Sequence, residues 1–167
     1  PLLKALQMLE YDYLVERVPR KGVIVKRLNV KELKDIYDVR EGIESVAVRL
    51  VIEKATENQI EELKNIWGPF INQERIDLAS YQLADNKFHA LLLEFSANEV
   101  LKKTYSNSFL QARVVQMGIM RKPEETLQEH IDLISAIEQR DYQKADAIIK
   151  SHLRISKENI PENMDLL

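Results

Sequence analysis

Four residues of this sequence have the types and spacing to hold a metal ion. Asp85 and His89 stand four apart in LADNKFHALLLEF, so on a helix both side chains leave one face, a turn apart. The other histidines, His130 and His152, lie in EHIDLISAIEQRD and KADAIIKSHLRI, both with helical apolar spacing. Three neutral imidazoles and a carboxylate suit Zn, Ni, Mn, Fe or Co, and the donor set alone does not choose among them. Four protein ligands close a tetrahedral site, whereas a five- or six-coordinate ion keeps positions for water or a small anion. A plainer alternative stays open. Three histidines in 167 residues is an ordinary number, and the Asp85–His89 spacing also suits a hydrogen bond along a helix face.

Neighbouring charges receive separate readings. Glu129 adjoins His130, but adjacent helical residues diverge by about 100°, so both cannot face one ion and Glu129 reads as solvated. Arg40 falls among Ile36, Tyr37, Val39 and Ile43, beside an apolar stripe. An inward Arg needs a carboxylate partner or a ligand; pairing with Glu44 on the helix surface is the alternative. Trp67 and the tyrosines read as packing or interface residues. No GxGxxG, P-loop, nucleophile elbow or HExxH is present, so the signals for catalysis are poor.

The elements that must position these residues are helices. Only four glycines and five prolines occur, which predicts long helices joined by short turns. Asn29 caps a helix over about residues 30–54, with Gly42 as an interior weak point. Its apolar stripe is Leu33, Ile36, Tyr37, Val39, Ile43, Val46, Ala47 and Leu50. Thr56, with Gln59 three residues on, makes a capping box for a second helix that ends or kinks near Gly68-Pro69. A third helix covers about 78–95 and carries Asp85 and His89. Ser96-Ala97-Asn98 breaks the chain before a fourth, about 99–120. Pro123 opens the fifth, to about Arg140, and Asp141 caps the last, about 142–158. The expected fold is all-α: an antiparallel bundle of about six helices, in which sites form from inward-facing side chains.

The first 28 residues have a different texture. PLLKALQMLEYDY reads as a short helix, and LVERVPRKGVIVKRL as a β-hairpin whose turn Pro19-Arg20-Lys21-Gly22 lets Gly22 take a positive φ. A helix followed by a basic-tipped hairpin is the second half of a winged helix-turn-helix; an ordinary surface hairpin is the alternative. Residues 1–28 carry a net charge of +3 and the rest −6, so any nucleic-acid contact belongs to this head. The chain has no cysteine, which fits a reducing cytoplasm, and no apolar run near the roughly 20 residues that span a bilayer.

As whole strings, DIYDVREGIESVAVRL, ADNKFHALLLEFSANEVL and EHIDLISAIEQRDYQKADAIIKSHL resemble, in order and spacing, the FCD ligand-binding domain of GntR-type transcription regulators of the FadR subfamily. The likeness covers about residues 31–155, and residues 1–25 resemble that family's recognition helix and wing. It implies a domain boundary near residues 28–30, with a DNA-binding part at 1–28 and an effector- and metal-binding part at 29–160. It implies no enzyme activity. Asp85, His89, His130 and His152 match the positions that hold a divalent ion (Zn, Ni or Mn) in metal-binding members. Arg40 matches an arginine that borders the pocket for a small carboxylate effector. Lys4, Arg20 and Lys21 fall where such a head meets operator DNA, and the family forms homodimers.

Two departures accompany the resemblance. Pro1 matches the start of the recognition helix, which reads as a fragment or a truncated chain. The family's P-V-R-E-A-L is here Pro1-Leu2-Leu3-Lys4-Ala5-Leu6, so Leu3 and Lys4 replace its Arg and Glu. Specific operator binding is therefore expected of the full-length protein and not of this chain alone. Two readings from other classes remain beside the regulator: a helical non-haem metalloenzyme, and a metal-free helical interaction module.

Overall fold

A computed structural model describes residues 1–12, 14–107, 118 and 120–162. Its first element, α1, is Leu2–Tyr11, and none of its residues is buried. Strands β1 (Val15–Val18) and β2 (Gly22–Val25) pair antiparallel, with Val15 opposite Val25 and Val18 opposite Gly22. Gly22 takes the expected positive φ, 83°, but Arg20 takes one too, at 65°. Three residues must reverse the chain between Val18 and Gly22, and Pro19 has its φ fixed. Arg20 therefore adopts the left-handed turn conformation that a non-glycine rarely visits.

Beyond the hairpin the described chain is helical. Asn29 caps α2 (Val30–Lys54), accepting from the Glu32 N–H at 2.9 Å while Glu32 accepts from the Asn29 N–H at 3.0 Å. Gly42 does not interrupt it. Thr56 and Gln59 form the expected capping box on α3 (Glu57–Asn65). That helix stops short of Gly68-Pro69, which instead form a 3₁₀ turn, Gly68–Phe70. Asp77 caps α4 (Leu78–Phe95). Ala97, at φ 48°, makes the predicted break, and the Asn98 carboxamide oxygen then accepts from the Val100 and Leu101 N–H groups to start α5 (Glu99–Asn107).

The expectation of one helix from 99 to 120 is corrected at its end. Gly118 has φ 72° and Met120 is non-helical; residues 108–117 lie outside the described residues. Helix α6 is Pro123–Glu138, and α7 is Tyr142–Glu158, capped by Asp141.

Helix α2 is the spine. It packs most extensively on α7 and then on α4, while α6 packs on α7. Polar links fix the direction of the α2–α7 pair: Ser45 to Asp146, Glu41 to Arg154 and Asp38 to Lys157. One index falls as the other rises, so these helices run antiparallel. Leu33, Val48, Val51, Leu63, Phe88, Leu92, Ile137 and Ile149 build the core between them. The predicted stripe on α2 needs one correction. Val39 is half exposed, and the buried face is Leu33, Tyr37, Arg40, Glu44, Ala47 and Val51. Two charged residues thus take core positions on the longest helix.

Arg140 closes the far end of the spine. At φ 56° it leaves α6, and its guanidinium donates to the Ile52 carbonyl at 2.7 Å and the Ala55 carbonyl at 3.0 Å. These are among the last carbonyls of α2 and its cap, which have no helical N–H to accept from. Arg140→Ala is expected to cost about 1–2 kcal/mol, a fall of about 2–8 °C in Tm for a chain of this size, measured by calorimetry.

Candidate metal centre

Three helices bring the four predicted ligands together. Asp85 and His89 come from one turn of α4, His130 from the middle of α6, and His152 from α7. One ligand atom from each of the four lies within 4.8 Å of every other. Asp85 Oδ1 is 3.4 Å from His130 Nε2 and 3.8 Å from His89 Nε2. The three imidazoles are almost wholly buried, and Asp85 is half-buried on the open side.

Every imidazole is tethered at the same nitrogen. His89 Nδ1 donates to Glu44 Oε2 at 2.6 Å, and His152 Nδ1 donates to Glu129 Oε2 at 2.8 Å. His130 Nδ1 lies 3.3 Å from the Tyr81 hydroxyl, which lies 2.8 Å from the Thr126 hydroxyl. Since carboxylates only accept, His89 and His152 each carry a proton on Nδ1, which leaves Nε2 as the nitrogen free to ligate in the neutral ring. His89 Nε2 and His130 Nε2 are buried with no hydrogen-bond partner among the described residues. An unsatisfied buried polar atom costs about 1–3 kcal/mol, and here two of them point at one carboxylate.

This arrangement fits a divalent ion. Such ions sit about 2.1 Å from nitrogen and oxygen ligands, so ligands across an ion stand about 4.2 Å apart, close to the spread observed. Ligating imidazoles characteristically donate their second nitrogen to a carboxylate or another acceptor, which fixes tautomer and ring direction. The electrostatics agree. Burial, and then the neighbouring His152 and His89, hold the His130 imidazole well below its ordinary pKa; burial also lowers that of His152, against the pull of Glu129. Both are neutral near pH 7, the form that ligates.

The carboxylates behind the ligands are strongly acidic. Burial alone would raise the Glu44 pKa, but Arg40 and His89 outweigh it and hold the group at about 2. At Glu129 burial is likewise outweighed, by His152 and Arg121, which hold it at about 2. Glu129 is therefore not the freely solvated residue expected from its helix position. It accepts two hydrogen bonds from Arg121, each 2.8 Å, besides that from His152. The divergence of adjacent helical side chains keeps it from sharing an ion with His130, but it leaves it free to brace His152 on the next helix.

Arg40 is buried and Nε donates to Glu44 Oε1 at 2.7 Å. It does pair with Glu44, but inside the protein and not on its surface. Its guanidinium carbon lies 5.3 Å from the Tyr37 ring centroid, a cation–π contact. Arg40, Asp85, Arg121, Thr126 and His152 line one cavity beside the cluster, and Arg121 was not among the predicted site residues. Trp67 packs in the core as expected, stacked on His130 with ring centroids 4.1 Å apart and planes 10° apart. Lys4, Arg20 and Lys21 are exposed on α1 and the hairpin tip, away from the helices that carry the cluster.

Known proteins resemble this chain in sequence and in fold. The model of the FCD domain matches residues 35–155. The HTH-type transcriptional repressor RspR of Escherichia coli K12 is 24% identical over 164 residues, covering 96% of this chain and 72% of the relative. The HTH-type transcriptional regulator YdhC of Bacillus subtilis 168 is 27% identical over 170 residues, covering 96% and 74%. Among solved structures, E. coli McbR/YncC superposes with a TM-score of 0.76 at 17% identity, over 92% of this chain and 79% of that one.

The chain belongs to the FCD-domain family. It is a DNA-binding transcription regulator of the GntR type, FadR subfamily, and not an enzyme.

Proposed function

We propose that residues 29–160 form an effector domain that holds one divalent ion, Zn, Ni or Mn, on Asp85, His89, His130 and His152. A small carboxylate effector binds in the adjoining cavity with Arg40, joined by Arg121. Its binding controls operator DNA recognition by a homodimer in the cytoplasm. Residues 1–28 are the C-terminal part of a winged helix-turn-helix, with Lys4, Arg20 and Lys21 facing DNA. No helix among the described residues is long and apolar enough to cross a membrane.

One observation carries this reading: three buried imidazoles, each tethered at Nδ1, meet around one point, and two of them, His89 and His130, hold Nε2 near the Asp85 carboxylate. A helical module whose histidines merely pack has no need to leave two buried Nε2 atoms without partners. A bound ion supplies a fixed positive charge that attracts a carboxylate ligand. Asp85, on the open side, holds its oxygen toward the cluster, and Arg40 and Arg121 offer N–H groups to the same cavity. Effector binding that favours one packing of the helices beneath the heads is a coupling between two sites.

The test is metal content by elemental mass spectrometry on protein purified without a His-tag or metal column. About one divalent ion per chain is expected, and none in Asp85→Ala/His130→Ala. Added Ni²⁺ should quench Trp67, the single tryptophan, because its ring stacks on a ligand. No ion in the purified protein, and no quenching or thermal stabilisation by Zn²⁺, Ni²⁺ or Mn²⁺, would overturn the proposal.

A further inference from the structure

The surroundings of the cluster repeat one motif twice. On α2 and α4, Arg40 donates to Glu44, and Glu44 accepts from His89 through its other oxygen. On the stretch leading into α6, and on α6 and α7, Arg121 donates to Glu129, and Glu129 accepts from His152. Both arginines line the same cavity. Each also keeps one buried N–H with no hydrogen-bond partner among the described residues, Arg40 Nη2 and Arg121 Nε. Arg121 Nε does lie 3.5 Å from a Glu125 carboxylate oxygen. His130 differs, being tethered to the neutral Tyr81 hydroxyl, which is bonded in turn to that of Thr126. Two of the three histidines are thus connected through a shared carboxylate to a guanidinium that faces the cavity.

We propose that Arg40–Glu44–His89 and Arg121–Glu129–His152 are two relays linking the cavity to the metal site. An anion that draws either guanidinium off its carboxylate strengthens that carboxylate's hold on its histidine, and so tightens the ion. This rests on the metal-binding reading above and adds its regulation. The physical basis is that a carboxylate divides its charge among its donors. While Arg121 takes both oxygens of Glu129 at 2.8 Å, the imidazole receives less of that charge. When an anion engages Arg121 instead, more of the charge falls on His152 Nδ1–H, and the ring becomes a better donor at Nε2. No proton is transferred and no bond is made or broken. Linkage runs both ways: an ion on Nε2 makes Nδ1–H more acidic, pulls Glu129 toward His152 and frees the guanidinium.

The experiment uses Ni²⁺ alone as the probe and measures its affinity by competition with a chromogenic chelator. The proteins are wild type, Glu129→Gln, Arg121→Gln and the double variant. Glu129 is partly exposed, and glutamine keeps its shape and one acceptor. Glu129→Gln should weaken Ni²⁺ by about 10–100-fold. Arg121→Gln should tighten it by about fivefold or more, and this gain should disappear in the Glu129→Gln background.

Arg121→Lys is the second variant. It keeps the positive charge but loses the two-pronged grip, so it too should tighten Ni²⁺, which a bare charge effect would not do. Additivity within about twofold around the cycle, or unchanged or weaker affinity in Arg121→Lys, would overturn the relay. Wild-type protein that takes up no Ni²⁺ would instead overturn the metal-binding reading beneath it.

Discussion

Stripping the ion with a chelator is expected to lower Tm by about 8–16 °C. A ligand that binds only the folded state stabilises it by about 4.1 kcal/mol when its free concentration is 1,000 times Kd. Each kcal/mol moves Tm by about 2–4 °C in a chain of this length. The structure supplies the reason for so large a response. Without an ion, the buried Nε2 atoms of His89 and His130 have no partner among the described residues. The unfolded chain also lacks the site, since its ligands come from three helices far apart in sequence. Calorimetry of Ni²⁺-loaded protein before and after dialysis against EDTA measures the effect. Asp85→Ala/His130→Ala should melt at one temperature in both conditions. A shift below about 2 °C in the parent protein would mean that the cluster does not bind an ion tightly.

Much of the frame is legible because helix ends carry their own chemistry. Asn29, Thr56 and Asp141 cap the helices they are expected to cap, since a short polar side chain before an apolar-periodic run satisfies the orphan N–H groups there. Part of the cluster is legible for a similar reason: the Asp85–His89 spacing is a property of one helix. What lies behind the ligands is not local. Glu44 meets His89 across 45 positions, and Glu129 meets His152 across 23, so no window of sequence contains either pair.

Apolar periodicity also misleads where charge is buried. It assigns Val39 inward, whereas Arg40 and Glu44 occupy that face. Their spacing from Leu33, at seven and eleven residues, is as helical as that of any leucine, but a charged residue at such a position reads as surface unless its partner is known. Arg121 carries no signal of its own, since it lies outside any helix and acts through Glu129.

Glu44→Leu in metal-free protein is expected to destabilise the fold by about 3–5 kcal/mol, because it leaves the buried Arg40 charge uncompensated. That is a fall of about 6–20 °C in Tm, read by calorimetry with EDTA present throughout. Glu44 is fully buried and sits between Arg40 Nε at 2.7 Å and His89 Nδ1 at 2.6 Å. Its ionisation at about 2, against the opposing effect of burial, marks it as a charge held in place by its partners. The exposed pair Arg49–Glu53 on the same helix is the control: Glu53→Gln should change stability by less than about 1 kcal/mol.

Replacing both members of the buried pair is a different experiment. Apolar residues of similar volume commonly match or exceed the stability of such a pair, so Arg40→Met/Glu44→Leu should recover most of what Glu44→Leu loses. The same double variant should still bind Ni²⁺ about 10–100-fold more weakly, since His89 loses the acceptor that orients it. Stability restored with metal affinity still low would mean that the ion pair is kept for the site and not for the fold. Metal affinity restored along with stability would leave Glu44 as packing, and the first relay would fall with it.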